Sequence, residues 1–365
     1  MPQFVQYVFP GNILIMISSM KTGGAEKQAV LDANILSEKN NVFLAYFKKG
    51  PLEGLINGRV KQIQIKKGNY SLTALRLRKV IRANNIDIIH ASLFASMVIS
   101  ALSSIFSRTN VIWHFHSHEY NLPLINCQIY KWLGKLPSVK KILFVNSELK
   151  TYMTSRFKFS DSKTGLLYNT SSFNPSLKSK SEKKLCSIGY IGRLVALKRV
   201  DWLIECAVFL LDKGYTGFKM VITGDGPERT NLEKLTGECN VGNFVKFTGF
   251  QSDTEMYYDG MDIFALPSGE ECLSMAAIDA GVKGIPIVAF DVGGNSEIID
   301  SGETGFIVTT KEEFFEKIYY LAENKITREQ MGDAAYSYCS DKFGKEKHMA
   351  RLDALHSELQ RKYNT

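Results

Sequence analysis

The 365-residue sequence lacks the cysteine spacing of a zinc site or of a disulfide framework. Its six cysteines are scattered and none forms a Cys-x-x-Cys pair, so we expect buried, reduced thiols as in cytosolic proteins. No apolar run approaches the ~18 residues that a membrane-spanning helix requires. The apolar stretch from Phe4 to Ile17 is interrupted by polar residues and lacks the cleavage site of a signal peptide. These absences predict a cytoplasmic protein that is soluble or at most peripheral on the inner face of the cytoplasmic membrane.

The net charge of +8 is not accompanied by any nucleic-acid-binding motif. The basic residues are spread along the chain, and the densest groups are residues 61–67, 76–79 and 178–184. An excess of this kind favours anionic ligands and anionic surfaces. We therefore expect an anionic membrane surface as a partner, and no nucleic acid.

Short apolar runs alternate with amphipathic segments along most of the chain, which is the pattern of parallel, doubly wound α/β sheets. The serine- and lysine-rich segment 170–184 breaks this rhythm and reads as a linker. We therefore predict two Rossmann-like domains, residues 1–178 and 184–344, facing across a cleft. A last helix from about Lys345, covering residues 345–365, is expected to return to the first domain.

Three turns after predicted strands could approach a ligand. Gly23 and Gly24 precede a helix start, where a backbone can come close to an anion, although a plain tight turn has the same composition. Arg193 and Lys198 lie on one strand-to-helix loop and could neutralise a diphosphate, although basic residues are common in surface loops. Gly224 opens a third such loop, whose acidic residues are equally typical of a helix start.

The segment 264–290 is the most informative in the chain. It predicts a strand ending at Leu266, a loop, a helix capped by Ser274, and a second buried strand after Pro286. Glu271 should lie on the loop at the carboxyl edge of the sheet, where open α/β folds bind ligands, and Asp279 should lie on the helix. The N–H groups at the helix start would suit a phosphate.

Three histidines, His114, His116 and His118, alternate after a predicted strand, and His90 ends another strand. If the strand continued, the three would share one face. The spacing has some likeness to a metal site, but no downstream cluster of ligands completes it. We therefore expect no metal here. Instead we expect that one histidine at the strand end hydrogen-bonds a sugar hydroxyl or takes part in a proton transfer.

With these residues in place, the chain resembles the retaining nucleotide-sugar glycosyltransferases of the GT-B fold, and more narrowly glycosyltransferase family 4 (glycosyl transferases group 1). The matching motifs occur in the family's order over nearly the whole length. They read GGAE at 23–26, DIIHAS at 87–92, LLYNT at 166–170, IGRLVALKRVDWLI at 191–204, VITGDGPER at 221–229, VKFTGF at 245–250, and Glu271-x7-Asp279 in place of Glu-x7-Glu.

The resemblance implies a role for each candidate residue. Arg193 and Lys198 would hold the donor diphosphate, and Glu271 would contact the donor sugar near the reacting carbon. His116, or in its place His114, would close over that sugar. The remaining donor contacts would come from the backbone of Leu273, Ser274 and Met275, from Gly224, and from Asp279 on the ribose hydroxyls, while Gly23 and Gly24 would form the acceptor-side loop.

Three positions depart from the family pattern. Asp279 is one methylene shorter than the usual Glu, Cys272 stands where Gly is frequent, and Thr170 replaces a Gly before the linker. These departures affect the fine geometry of the site more than the class of reaction.

The function implied by the resemblance is transfer of a sugar from a UDP- or GDP-sugar to an acceptor hydroxyl with retained anomeric configuration. No cofactor and no metal are expected, because two cations and a helix start can neutralise the departing diphosphate. The expected acceptor is an oligosaccharide or lipid-linked saccharide of bacterial cell-surface polysaccharide or lipopolysaccharide O-antigen synthesis. The alternatives are a GT-B sugar-nucleotide epimerase and a non-catalytic sugar-nucleotide-binding scaffold.

Overall fold

A computed structural model describes residues 11–118, 122–177 and 185–361. They divide into two compact units. The first contains the described residues up to Tyr168 together with those from His348 onward, and the second is Asn169–Lys347. The division lies before the segment 170–184 that the sequence marks as a linker. Residues 178–184 of that segment, with their lysines, lie outside the described residues.

The early division has a local cause. The Thr170 hydroxyl donates a hydrogen bond to the carbonyl of Phe343 at 2.9 Å, and the backbone N–H of Ser171 donates to the same carbonyl at 3.0 Å. These bonds attach the start of the segment to the second unit. At the other end of that unit the chain passes to the first unit at His348, within the predicted last helix.

In the first unit, the described strands form a parallel sheet in the order β3-β2-β1-β4-β5-β6-β7. Their bounds are β1 Asn12–Ser19, β2 Asn41–Lys48, β3 Lys61–Gln64, β4 Ile88–Ser92, β5 Asn110–Phe115, β6 Val139–Phe144 and β7 Thr164–Leu166. The helices between them are α1 Gly24–Leu36, α2 Tyr70–Ala83, α3 Phe94–Ser104, α4 Leu124–Leu133 and α5 Ser147–Phe157.

In the second unit, the described strands form another parallel sheet, in the order β10-β9-β8-β11-β12-β13. Their bounds are β8 Cys186–Ile191, β9 Phe218–Thr223, β10 Val245–Gly249, β11 Ile263–Leu266, β12 Ile287–Phe290 and β13 Gly305–Val308. The helices of this unit are α6 Asp201–Asp212, α7 Arg229–Glu238, α8 Glu255–Gly260, α9 Met275–Val282, α10 Asn295–Ile298, α11 Lys311–Glu323 and α12 Lys325–Phe343, and α13 Lys345–Arg361 passes into the first unit at His348.

The central strands are buried on both faces because helices cover both sides of a parallel sheet. Residues 13–17 of β1 illustrate this, since each is at most 3% exposed. Leu352 and Leu359 of α13 belong to the same apolar core as β1 and α1. The last helix is therefore part of the hydrophobic core of the first unit.

The predicted α/β class with two doubly wound parallel sheets is confirmed. Edge strands β3 and β7 were not predicted, since β3 reads Lys-Gln-Ile-Gln and β7 has three residues. One predicted basic group also has a structural role, because the guanidinium of Arg78 donates to the carbonyls of Leu102, Ser103 and Ile105 near the end of α3. Among the described residues, no helix is both long and apolar enough to cross a membrane.

Candidate functional site

The candidate residues of the second unit lie on loops at the carboxyl edge of its sheet. Strand β8 lies between β9 and β11, so the chain leaves β8 in one direction and crosses over to return on its other side. Ligands of open α/β sheets bind at such switch points, where adjacent loops diverge. The loops after these three strands carry Arg193, Lys198, Gly224 and Glu271.

Glycines allow these loops to pack directly on one another. Gly224 has a φ of +139°, and a Cβ there would lie 1.8 Å from the carbonyl oxygen of Gly192. Gly293 has a φ of +54°, and a Cβ there would lie 1.8 Å from the carbonyl oxygen of Glu271. In the structure, Gly224 thus allows the loops after β8 and β9 to pack on each other. A direct contact between Gly224 and substrate stays a prediction.

Lys198 and Glu271 form an ion pair across the loops after β8 and β11. The Lys198 Nζ lies 2.5 Å from the Glu271 Oε1, and the two side chains are 19% and 12% exposed. The same ammonium lies 3.4 Å from the carbonyl oxygen of Glu270. The structure therefore brings together two residues that lie 73 positions apart in the sequence and that were predicted to share one ligand.

Arg193 is exposed, and its backbone is held by a residue that the sequence reading missed. The hydroxyl of Tyr190 donates to the carbonyl of Arg193 at 3.1 Å. Tyr190 is 1% exposed, and burial together with the negative charge of Glu271 raises its pKa, with Arg193 acting in the opposite direction. A neutral phenol therefore lies beside both charged groups. Its position at the end of a strand was the only sequence signal.

The start of α9 has the predicted cap. The Ser274 side chain accepts a hydrogen bond from the N–H of Ala277 at 3.3 Å, and α9 begins at Met275. The carbonyl of Leu273 accepts a bond from the Asn169 amide at 3.1 Å. The start of this eight-residue helix, with its positive dipole end, is therefore fixed on the loop that carries Glu271.

Asp279 is almost fully enclosed. Its Oδ1 accepts hydrogen bonds from the Ser171 hydroxyl at 2.8 Å and from the Ser172 N–H at 2.7 Å, and the residue is 1% exposed. The carboxylate thus holds the segment after Asn169 against α9. This placement does not support a direct contact between Asp279 and ribose hydroxyls. That contact therefore stays an untested prediction.

In the first unit, Gly23 is the N-cap of α1 and Gly24 its first residue. The Glu26 side chain folds back over this turn, since a Cβ on Gly23 would lie 2.2 Å from its Oε2. The Ser19 hydroxyl donates to the Oε1 of Glu26 at 3.1 Å. The glycine turn is therefore a tight helix entry, and its role on the acceptor side stays a prediction.

A common face of His114, His116 and His118 was expected only if the strand continued, and β5 ends at Phe115, although the ring centroids of His114 and His116 lie 4.1 Å apart. His114 is 1% exposed, and its Nε2 lies 2.9 Å from the carbonyl of Leu167. His116 is partly exposed, with its Nε2 3.3 Å from the Ser92 hydroxyl. Of the two candidates for contact with a donor sugar, His116 is the one with accessible surface.

Comparison with known proteins agrees with this architecture. Residues 173–338 match the family model described as glycosyl transferases group 1, and residues 42–170 match that of glycosyltransferase family 4. An uncharacterized glycosyltransferase of Haemophilus influenzae is 28% identical over 291 residues, covering 78% of this chain and 79% of its own length. The O-antigen biosynthesis glycosyltransferase WbnH of Escherichia coli is 26% identical over 310 residues, covering 83% of this chain and 87% of its own length.

Among solved structures, Anabaena HepE in complex with UDP is similar over 95% of this chain and 100% of its own, with a TM-score of 0.83 at 19% identity. HepE has also been solved with UDP-glucose. At this identity the likeness shows the fold, and the two family models add the type of each domain. The chain therefore has the GT-B fold and is similar to glycosyltransferases, with a domain that matches the family 4 model followed by a domain that matches the group 1 model.

Proposed function

We propose that this protein transfers a sugar from a UDP- or GDP-sugar to an acceptor hydroxyl, with retention of the anomeric configuration and without a catalytic metal ion. The observation that carries the proposal is the ion pair between Lys198 and Glu271, 2.5 Å apart at the switch point of the second sheet. A cation and a carboxylate at this spacing match the two parts of such a donor, a diphosphate and a sugar.

The pair gives each group a task when the donor binds. The Lys198 ammonium would exchange part of its contact with Glu271 for oxygens of the diphosphate, which carry more negative charge. Glu271 would then accept hydrogen bonds from sugar hydroxyls. Because both side chains are mostly enclosed, their interactions with the donor gain strength from the low local dielectric.

Departure of the diphosphate requires neutralisation of the charge that grows on its leaving oxygen. Arg193 lies on the same loop as Lys198, with its backbone fixed by Tyr190. The capped start of α9 adds the positive end of a helix dipole. Preorganised donors of this kind stabilise developing negative charge, so the residues supply the function that a divalent ion has in other transferases.

His116 of the first unit is proposed to hydrogen-bond a sugar hydroxyl. Its Nε2 is paired with the Ser92 hydroxyl, which orients the ring at the end of β5. A ring held in this way can hydrogen-bond a hydroxyl of the sugar. Gly23 and Gly24 would lie on the acceptor side of the same unit.

The acceptor is proposed to be a lipid-linked saccharide of bacterial O-antigen or related polysaccharide synthesis. Support comes from the similarity to WbnH, an O-antigen biosynthesis glycosyltransferase, over 83% of this chain and 87% of that relative. The net charge of +8 would favour visits to an anionic membrane. Flotation with liposomes that contain anionic lipids tests this part of the proposal. We expect binding that weakens as salt is added, and no binding at low salt would count against it.

The reaction is tested by release of nucleoside diphosphate from a panel of nucleotide sugars, with and without a lipid extract as acceptor source. We expect release that depends on the extract and is lost in Lys198→Ala and Glu271→Ala. Exposed residues of the same unit, changed in Lys246→Ala and Glu238→Ala, serve as matched controls and should retain activity. Full turnover in both site variants would overturn the proposed site, and extract-independent release of a changed sugar would indicate an epimerase.

A further inference from the structure

The first unit contains a buried cluster of titratable side chains that the proposed reaction does not use. Asp32 of α1, His90 of β4 and His114 of β5 are each at most 3% exposed. His348 and His356 of α13 are buried beside them, at 1% and 4% exposure. Four of the six histidines of the chain therefore meet one carboxylate inside a hydrophobic core.

Three of these residues offer ligand atoms at metal-binding distances. One atom each of Asp32, His90 and His114 lies within 4.8 Å of the other two. Metal–ligand bonds of about 2.0–2.2 Å around one Zn²⁺ ion require ligand atoms to be close together in this way. Two imidazoles and a carboxylate are also a ligand set that zinc and similar divalent metals accept.

The hydrogen bonding of the His90 and His114 ring nitrogens is incomplete among the described residues. Among the residues that the structure describes, neither Nδ1 nor Nε2 of His90 has a hydrogen-bond partner, and the Nδ1 of His114 has none either. Buried polar atoms are nearly always paired, because an unpaired one costs about 1–3 kcal/mol. These nitrogens therefore indicate a ligand between the side chains.

The candidate ligands have outer hydrogen-bond partners of the kind that orient the ligands of metal sites. The Nε2 of His114 lies 2.9 Å from the carbonyl of Leu167, a bond that requires the proton on Nε2 and leaves the lone pair on Nδ1. The Oδ1 of Asp32 is 2.7 Å from the Gln28 amide and 2.7 Å from the His348 Nε2. Metal-binding histidines and carboxylates characteristically have such outer partners, which fix tautomer and orientation.

We propose that Asp32, His90 and His114 bind one divalent transition-metal ion, Zn²⁺ in the first place, and that His348 supports the site through Asp32. The ion would link α1, β4 and β5, and through His348 also α13, which completes the core of this unit. Its role is structural and is separate from neutralisation of the donor diphosphate by Arg193 and Lys198. The sequence predicts no metal near these histidines because no ligand cluster follows them, whereas Asp32, which completes the set, precedes them.

The protonation states suit a cation. Burial lowers the pKa of His90 and brings that of His114 to about 4, so both rings are neutral at physiological pH. Burial opposes ionisation of Asp32, but the charge and hydrogen bond of His348 outweigh it and hold its pKa below the usual range. Metal binding needs neutral imidazoles and an ionised carboxylate, and these groups meet that requirement without further deprotonation.

The test uses the full chain without a polyhistidine tag. Metal content is measured by mass spectrometry after gel filtration, and chelator-treated protein is then titrated with Zn²⁺ or Co²⁺. We expect one equivalent of metal per chain, visible absorption bands from bound Co²⁺, and a melting temperature that rises with metal because the ion binds the folded state. Trace metal in the purified protein, with neither absorption bands nor a thermal shift on addition of either ion, would overturn the proposal.

Two variants assign the ligands. His90→Ala removes a ligand, and Asp32→Asn changes one with little change in shape. Both should lose the Co²⁺ bands and the metal-dependent thermal shift. His118→Gln is the matched control, since His118 is equally buried in the same unit but pairs with Glu148. If Asp32→Asn remains folded by circular dichroism and still binds Co²⁺ with unchanged bands, the assignment is refuted. None of these measurements depends on sugar transfer.

Discussion

Replacement of Asp279 separates a structural role of this carboxylate from direct binding of the donor. Asp279→Ala removes the acceptor of two bonds, from Ser171 at 2.8 Å and from Ser172 at 2.7 Å. Hydrogen bonds to a charged group contribute about 1.5–3 kcal/mol each, so the alanine variant should lose about 3–6 kcal/mol of unfolding free energy. Asp279→Asn keeps an acceptor oxygen but not the charge, and should lose about 1–2 kcal/mol.

The assay is thermal unfolding of the protein without ligand, followed by titration with UDP and GDP. For a unit of 150–250 residues, 1 kcal/mol shifts the melting temperature by about 2–4 °C, so Asp279→Ala should melt roughly 6–24 °C lower. Asp212→Ala, at an exposed site in the same unit, is the control and should change little. An asparagine variant with unchanged stability and a large loss of nucleotide affinity would refute the structural role and favour direct contact with the ribose.

Three further predictions concern single features of the two units. In metal-free protein, unfolding free energy should fall as pH drops from 6.5 toward 4, because burial lowers the pKa of His114 and of His356 to about 4 and both rings must be neutral to fold. At about 1.4 kcal/mol per pKa unit, the loss is roughly 3 kcal/mol for each ring, measured by denaturant titration, and constant stability across this range would contradict it. Gly224→Ala should destabilise the second unit by at least about 1–3 kcal/mol because of its positive φ and its contact with Gly192, whereas Gly237→Ala, which meets no neighbour, should not. Tyr190→Phe should cost about 1 kcal/mol and weaken nucleotide binding by loosening the loop of Arg193, so unchanged affinity in a calorimetric titration would argue against that positioning role.

Much of the fold could be predicted from the sequence because parallel strands are short, continuous apolar runs. The runs 287–290 and 263–266 coincide with β12 and β11, and the Ser274 cap marks the start of α9. Strand β3 escaped because an edge strand with one partly buried residue, Ile63, has no apolar pattern to find. Local patterning thus identifies central elements and fails at the edges.

The candidate site was predictable only in part, because it depends on long-range contacts. Lys198 and Glu271 could be named from their loops, but their direct pairing could not. The enclosure of Asp279 by Ser171 and Ser172 required the fold of a segment that reads as a linker. Of the histidine cluster, His90 and His114 were noted in the sequence but Asp32 was not, and its only signal was a carboxylate on the buried face of α1.

The central claim is that the donor nucleotide binds at Lys198 and Glu271, and isothermal titration of UDP and GDP into wild type and Lys198→Ala tests it most directly. We predict one nucleotide site per chain in wild type, and an affinity lower by about 10–100-fold in the variant, equivalent to about 1.4–2.8 kcal/mol. Lys246→Ala should bind as wild type does. Equal affinity of wild type and Lys198→Ala for the same nucleotide would contradict the account.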